Sequence, residues 1–171
     1  MKNESTPVEL ARKSLTYYLE KNKLMPTPDN LSEELKRQAG VFVSFKSNGE
    51  LRGCIGTFQP TQPSVAEEII NNAVAAGTQD PRFWPIEVEE IPKLNISVDL
   101  LESPEHINSI SELDPQKYGV IVRCGRRSGL LLPMLEGVDT ANEQVEIAMQ
   151  KAGIRPGEEI ELFRFTVTRY T

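Results

Sequence analysis

Hydrophobic positions along this chain change their period several times, and each change marks an element. Leu10, Ala11, Leu15, Tyr18 and Leu19 recur at helical spacing up to about Lys21. Thr6 suits the N-cap of that helix, Pro7 its first position and Glu9 the far side of a capping box. Asn22 to Pro28 reads as a loop, and Leu31 to Ala39 as a short charged helix with a narrow apolar edge. Val41-Phe42-Val43-Ser44-Phe45 is rich in strand formers. Asn48-Gly49 is a strong hairpin signal, which makes Leu51-Arg52-Gly53-Cys54-Ile55-Gly56 the second arm. Ser64 with Glu67 predicts another capping box, before a stripe of Val65, Ile69, Ile70, Ala73 and Val74 that stops at Gly77.

The prolines of Asp80-Pro81-Arg82-Phe83-Trp84-Pro85 exclude regular structure there. Asn95 to Leu101 alternates, with Ile96, Val98 and Leu100 on one face. After a loop through Pro104 to Pro115, Gly119-Val120-Ile121-Val122 repeats the pattern of Gly40-Val41-Phe42-Val43. A turn over Gly125 to Gly129 and a second arm, Leu130-Leu131-Leu132, follow. A helix opens at Thr140 with Glu143 and ends at Gly153. A last strand runs from about Ile160 to Thr168, slipping phase near Leu162-Phe163. The order hairpin, helix, strand thus occurs twice, over about 41–101 and 120–168. The expectation is a single α+β domain over 1–171, mostly antiparallel sheet with packed helices, in two lobes from a duplicated hairpin-helix-strand unit. A cleft between such halves is a natural ligand site.

Composition narrows the class. A chain of 171 residues can bury a real core, and 39% hydrophobic with 26% charged residues is ordinary for a soluble globular protein. No apolar run approaches the roughly 20 residues that span a bilayer. Met1-Lys2-Asn3-Glu4-Ser5 has no signal-peptide apolar region, so the cytoplasm is the expected compartment and the two cysteines are expected as free thiols. A net charge of −6 argues against nonspecific nucleic-acid binding. Arg123, Arg126 and Arg127 form a local basic exception, read as a solvated hairpin tip.

The densest chemistry is in the second arm. Strict alternation would put Arg52 and Cys54 on one face and Leu51, Gly53 and Ile55 on the other. A guanidinium beside a thiol favours the reactive thiolate, and flanking glycines suggest an open spot. The competing reading is a cysteine that merely fills a core. A nucleophilic thiol usually wants a base, and the one histidine, His106, lies in the loop after Ser103. Asp80 and Arg82 present charges to a cleft or form an architectural ion pair. Two cysteines and one histidine at these spacings make no zinc motif, and no glycine loop cradles a phosphate, so no metal or cofactor is expected.

Leu51 to Thr57 resembles the signature of the AMMECR-type domain. Gly40-Val41-Phe42-Val43, Asp80-Pro81-Arg82-Phe83, Ile96-Ser97-Val98 and Gly129-Leu130-Leu131-Leu132-Pro133 match further blocks in the family's order. The version here resembles the microbial branch called AmmeMemoRadiSam system protein A, whose members are often fused to or encoded beside a Memo-like dioxygenase-fold protein and a radical-SAM enzyme. The family is described as two unequal lobes and has no settled activity. The resemblance therefore implies a fold and neighbours rather than a substrate. Tyr118-Gly119 stands where many members have His-Gly, Met134 where many have Gln, and Trp84 where a proline is common.

Two functional readings follow. One is an enzyme or enzyme component, with Cys54 and Arg52 as the catalytic candidates. Gly53, Gly56, Thr57, Asp80 and Arg82 would then line the site for a small molecule or a modified protein side chain. The other is a non-catalytic adaptor module for the Memo-like or radical-SAM protein. Nucleic-acid binding through the arginine cluster is a third and weaker reading, opposed by the acidic balance.

Overall fold

The computed structural model describes residues 5–171; Met1 to Glu4, read above for a leader, lie outside the described residues. Among the described residues, four α-helices and eight strands fall into two compact units, one running to Leu100 and taking back Thr168–Thr171, the other spanning Leu101–Val167. The α+β expectation holds: each unit carries one antiparallel-type four-stranded sheet with helices.

In the first unit, helix α1 (Thr6–Lys21) begins one residue earlier than its cap signals suggest. Ser5 takes the N-cap position without a side-chain bond, so the predicted Thr6–Glu9 box does not form. The short helix α2 keeps only Glu33–Lys36 of the expected stretch. Strands β1 (Gly40–Ser47) and β2 (Glu50–Thr57) form the hairpin, turning through Asn48 and Gly49, both at positive φ. Helix α3 (Val65–Thr78) is capped by Ser64, which accepts from the amide of Glu67 at 3.2 Å. The helix passes through Gly77 instead of ending there, because Gly77 is a contact: a Cβ on it would sit 2.5 Å from Leu15 Cδ1. A 3-10 turn, Val88–Lys93, leads to strand β3 (Asn95–Leu101). The sheet order is β2-β1-β3-β8, where β8 is Val167–Tyr170. Val41, Val43 and Phe45 of β1, Ile96, Val98 and Leu100 of β3, and Leu15, Ile69 and Ala73 of the helices share one buried core.

The second unit follows a related order. The expected loop after Leu101 contains strand β4 (Glu105–Ile107) and a 3-10 turn at Ile110–Glu112, so His106 sits on a strand. The hairpin is β5 (Gly119–Cys124) and β6 (Arg127–Leu131), with a turn of only Gly125 and Arg126. Helix α4 (Ala141–Ala152) shows the full Thr140–Glu143 capping box and a left-handed Gly153 at its end, both as expected. The predicted last strand is two strands, β7 (Glu161–Phe165) and β8, and the break falls at Thr166 instead of Leu162-Phe163. The sheet order is β4-β7-β5-β6, over a core of Val120, Val122, Leu131, Val145, Ala148 and Leu162.

Candidate functional site

The register of the first hairpin organises the site. Ser47 pairs with Glu50 and Lys46 with Leu51, but Phe45 pairs with Gly53, so Arg52 is the extra residue of a bulge. The alternation that would place Arg52 beside Cys54 is broken there. Ser44 becomes the cross-strand partner of Cys54, and its hydroxyl lies 3.0 Å from the sulfur as a hydrogen-bond donor. Val41, Val43 and Phe45 face the core, so Ser44 and Cys54 occupy the opposite face of the sheet. The cysteine is half-buried and free, as is Cys124.

Arg52 is committed elsewhere. Its guanidinium bonds Glu90 through Nε at 2.9 Å and Nη2 at 3.1 Å, and reaches the carbonyls of Trp84 at 2.6 Å and Pro85 at 3.2 Å. This clamp holds Trp84, Pro85 and Glu90 against β2. The Arg52 hydrogen bonds, opposed by desolvation, hold the Glu90 carboxyl below the usual range.

Asp80 and Arg82 make the first of two ion pairs near the thiol. Asp80 is buried, and its carboxylate accepts from the backbone amide of Cys54 at 3.0 Å. It also accepts from Arg82 Nε at 3.0 Å, Arg82 Nη2 at 2.8 Å and the Arg82 amide at 3.1 Å. β2 is an edge strand, and this carboxylate satisfies an outward-pointing amide that no neighbouring strand reaches. The Arg82 bonds, against the cost of burial and with help from the Cys54 amide, hold the Asp80 carboxyl far below its ordinary value.

The second pair joins Asp99 of β3 to Arg169 of β8 through two bonds of 2.7 Å each. Ile96, Val98 and Leu100 fill the core, so alternation puts Asp99 on the Cys54 face. The carboxylates of Asp80 and Asp99 are almost wholly buried, while the side chains of Arg82 and Arg169 are 57% and 44% exposed. Both guanidinium pKa values are raised, chiefly by the bonds to the aspartates and against the cost of burial. Asp80, which holds the Cys54 amide, and Asp99, on the same sheet face, thus place Arg82 and Arg169 as the cations of this face. Sequence reasoning missed Ser44, Asp99 and Arg169. Ser44 is concealed by the bulge, and Arg169 by the splitting of the last strand.

The remaining sequence candidates have packing roles. A Cβ at Gly53 would meet the Ala76 carbonyl oxygen at 2.1 Å, and one at Gly56 would meet the Phe42 ring at 2.2 Å. The glycines admit a helix backbone and an aromatic ring, and the open spot expected between them is filled. Thr57 donates to the fully buried Glu68 at 2.7 Å, which also takes the amides of Thr61 and Gln62. That network ties the loop after β2 to α3. In the second unit, His106 packs edge-on against Phe163. Arg123 pairs with Glu161 and Arg127 with Glu158, so two cations of the basic cluster are offset. Among the described residues, no cluster of three His, Cys, Asp or Glu side chains could hold a metal ion, and no helix is long and apolar enough to cross a membrane.

The AMMECR1 family model matches residues 8–170. This chain belongs to the AMMECR1 family. A Thermotoga maritima protein is 50% identical over 99% of each chain. A Clostridium acetobutylicum protein is also 50% identical over 99% of this chain, which spans only 36% of that relative's length. Among solved structures, an uncharacterized protein from Pyrococcus horikoshii superposes with a TM-score of 0.85 at 32% identity, covering 95% of this chain and 88% of that one. The names of these AMMECR1-family relatives assign no activity.

Proposed function

We propose that the Cys54 face of the first sheet is the working site of an enzyme or enzyme component, with the thiol as the reacting group. Its substrate class is a small molecule or a modified protein side chain that carries negative charge near an electrophilic centre. One observation carries this reading: the sulfur is held by Ser44 at 3.0 Å, the Cys54 amide is held by the buried Asp80, and the two aspartates of this sheet face, Asp80 and Asp99, each fix a partly exposed guanidinium. Buried aspartates fix the arginine planes, and the exposed edges remain available to an anion. Arg52, Gly53, Gly56 and Thr57 support this site through packing and the clamp on Trp84, Pro85 and Glu90, without touching substrate. The motif blocks that resemble the AmmeMemoRadiSam branch, and the much longer Clostridium relative, support action beside a Memo-like protein and a radical-SAM enzyme in the cytoplasm.

The test is alkylation of native protein carrying Cys124→Ser, with neutral iodoacetamide and anionic iodoacetate compared. Cys54 is expected to react in the folded state, with iodoacetate favoured over its share in denatured protein. Arg82→Gln is expected to remove much of that preference. Reaction only after denaturation would make Cys54 a packing residue. An exposed Trp84, 88% accessible on a loop pinned by Arg52, favours the second reading, a non-catalytic adaptor of the same system.

A further inference from the structure

The second unit contains a cavity of about 340 Å³, lined among others by Ser103, Glu105, Lys117, Tyr118, Arg164 and Thr166. The volume is in the range of small-molecule sites. The lining carries two cations, Lys117 and Arg164, and one carboxylate, Glu105. Arg164 is paired: its Nε donates to Glu105, and its Nη1 donates to the Glu112 carbonyl at 2.8 Å. The carboxylate of Glu112 accepts from the amides of Asn108 and Ser109 and its charge also acts on Arg164, while that of Asp114 accepts from the amide of Gln116. Lys117 makes no ion pair among the described residues; its ammonium lies 4.9 Å from the centre of the Tyr118 ring. The Arg164 guanidinium sits 4.3 Å from the same centre. Two cations thus share one aromatic ring, with Glu105 as the only carboxylate in the lining. Lys117 is therefore a lining cation without an ion-pair partner among the described residues, and an oxyanion held in the cavity would supply one.

We propose that this cavity binds a small molecule through a phosphate or carboxylate group, gripped by Lys117 and Arg164 and oriented by the hydroxyls of Ser103, Tyr118 and Thr166. Lysine is a compact point charge with rotatable donors, and arginine offers a planar fork, a combination suited to an oxyanion. The cavity is larger than a bare oxyanion needs, so the ligand carries a body beyond its charged group. The proposal uses no residue of the Cys54 site and stands or falls separately from it.

The experiment is a titration of the ¹⁵N-labelled whole chain with inorganic phosphate and, separately, with succinate, each against sodium chloride at equal ionic strength. Saturable shifts of the Ser103, Tyr118 and Thr166 amides are expected with one of the two anions, which names the group recognised. Lys117→Ala is expected to weaken that binding about tenfold, the loss of one charge-assisted contact, and Lys117→Arg to keep most of it. No saturable shift with either anion, shifts matched by chloride, or binding indifferent to Lys117→Ala would overturn the proposal.

Discussion

Asp80 shows how much one buried carboxylate decides. It closes the edge of β2 through the Cys54 amide and fixes Arg82 through two side-chain bonds. Its folded pKa is depressed, chiefly by Arg82. A depressed carboxylate contributes stability that is fully present above its unfolded value of about 4 and is lost as pH falls through that value toward the folded one. Asp80→Asn is therefore expected to cost about 1–2 kcal/mol at pH 7, kept modest because solvent screens the exposed Arg82. The cost should shrink at pH 3, where the native aspartate has itself begun to lose the advantage. Urea denaturation at the two pH values measures this, and an equal loss at both would show that the charge is not what matters.

Between elements, the contacts that shape the hairpin are made by glycines. Gly53 lets the α3 backbone approach β2, and Gly129 does the same for α4 and β6, where a Cβ would lie 2.0 Å from the Ala148 carbonyl oxygen. Both contacts are with backbone, which yields only at a cost. Gly53→Ala and Gly129→Ala are each expected to lower stability by about 1–3 kcal/mol. Thermal unfolding checks this; a change below about 0.5 kcal/mol in either would mean the helix moves freely. The matched glycines, and the matched order of hairpin, helix and strand, support the proposal of an internal duplication. The bulge at Arg52 is the element-level feature that periodicity could not supply. It shifts the register by one residue, which moves Cys54 from a neighbour of Arg52 to a partner of Ser44.

At the scale of the molecule, each unit has its own sheet and its own core. The adaptor reading belongs here, because it concerns a surface offered to another protein. Trp84 is the single tryptophan of the chain, so its emission reports that surface without labelling. The adaptor reading predicts co-elution with the Memo-like or radical-SAM protein and a blue shift of Trp84 emission as the indole is desolvated. Neither co-elution nor a shift at micromolar concentrations would remove it.

The sequence alone determined the class of the fold, the hairpins, the capped helix from Thr140 and the strand around Val98, because these follow from local periodicity, turn chemistry and caps. It also singled out Cys54, Asp80 and Arg82 as chemistry worth locating. Only the tertiary structure decided which charges lie on the sheet face of the thiol. Arg52 is captured by Glu90 and two loop carbonyls, while Arg169, more than a hundred residues from Cys54, is brought to its sheet face by Asp99. Bulges and long-range ion pairs arise from contacts between distant segments, and no local pattern encodes them. The division of the final segment at Thr166 is of the same kind: one apolar run serves two sheets, because hydrogen-bonding partners in each sheet, and not its own periodicity, claim its two halves.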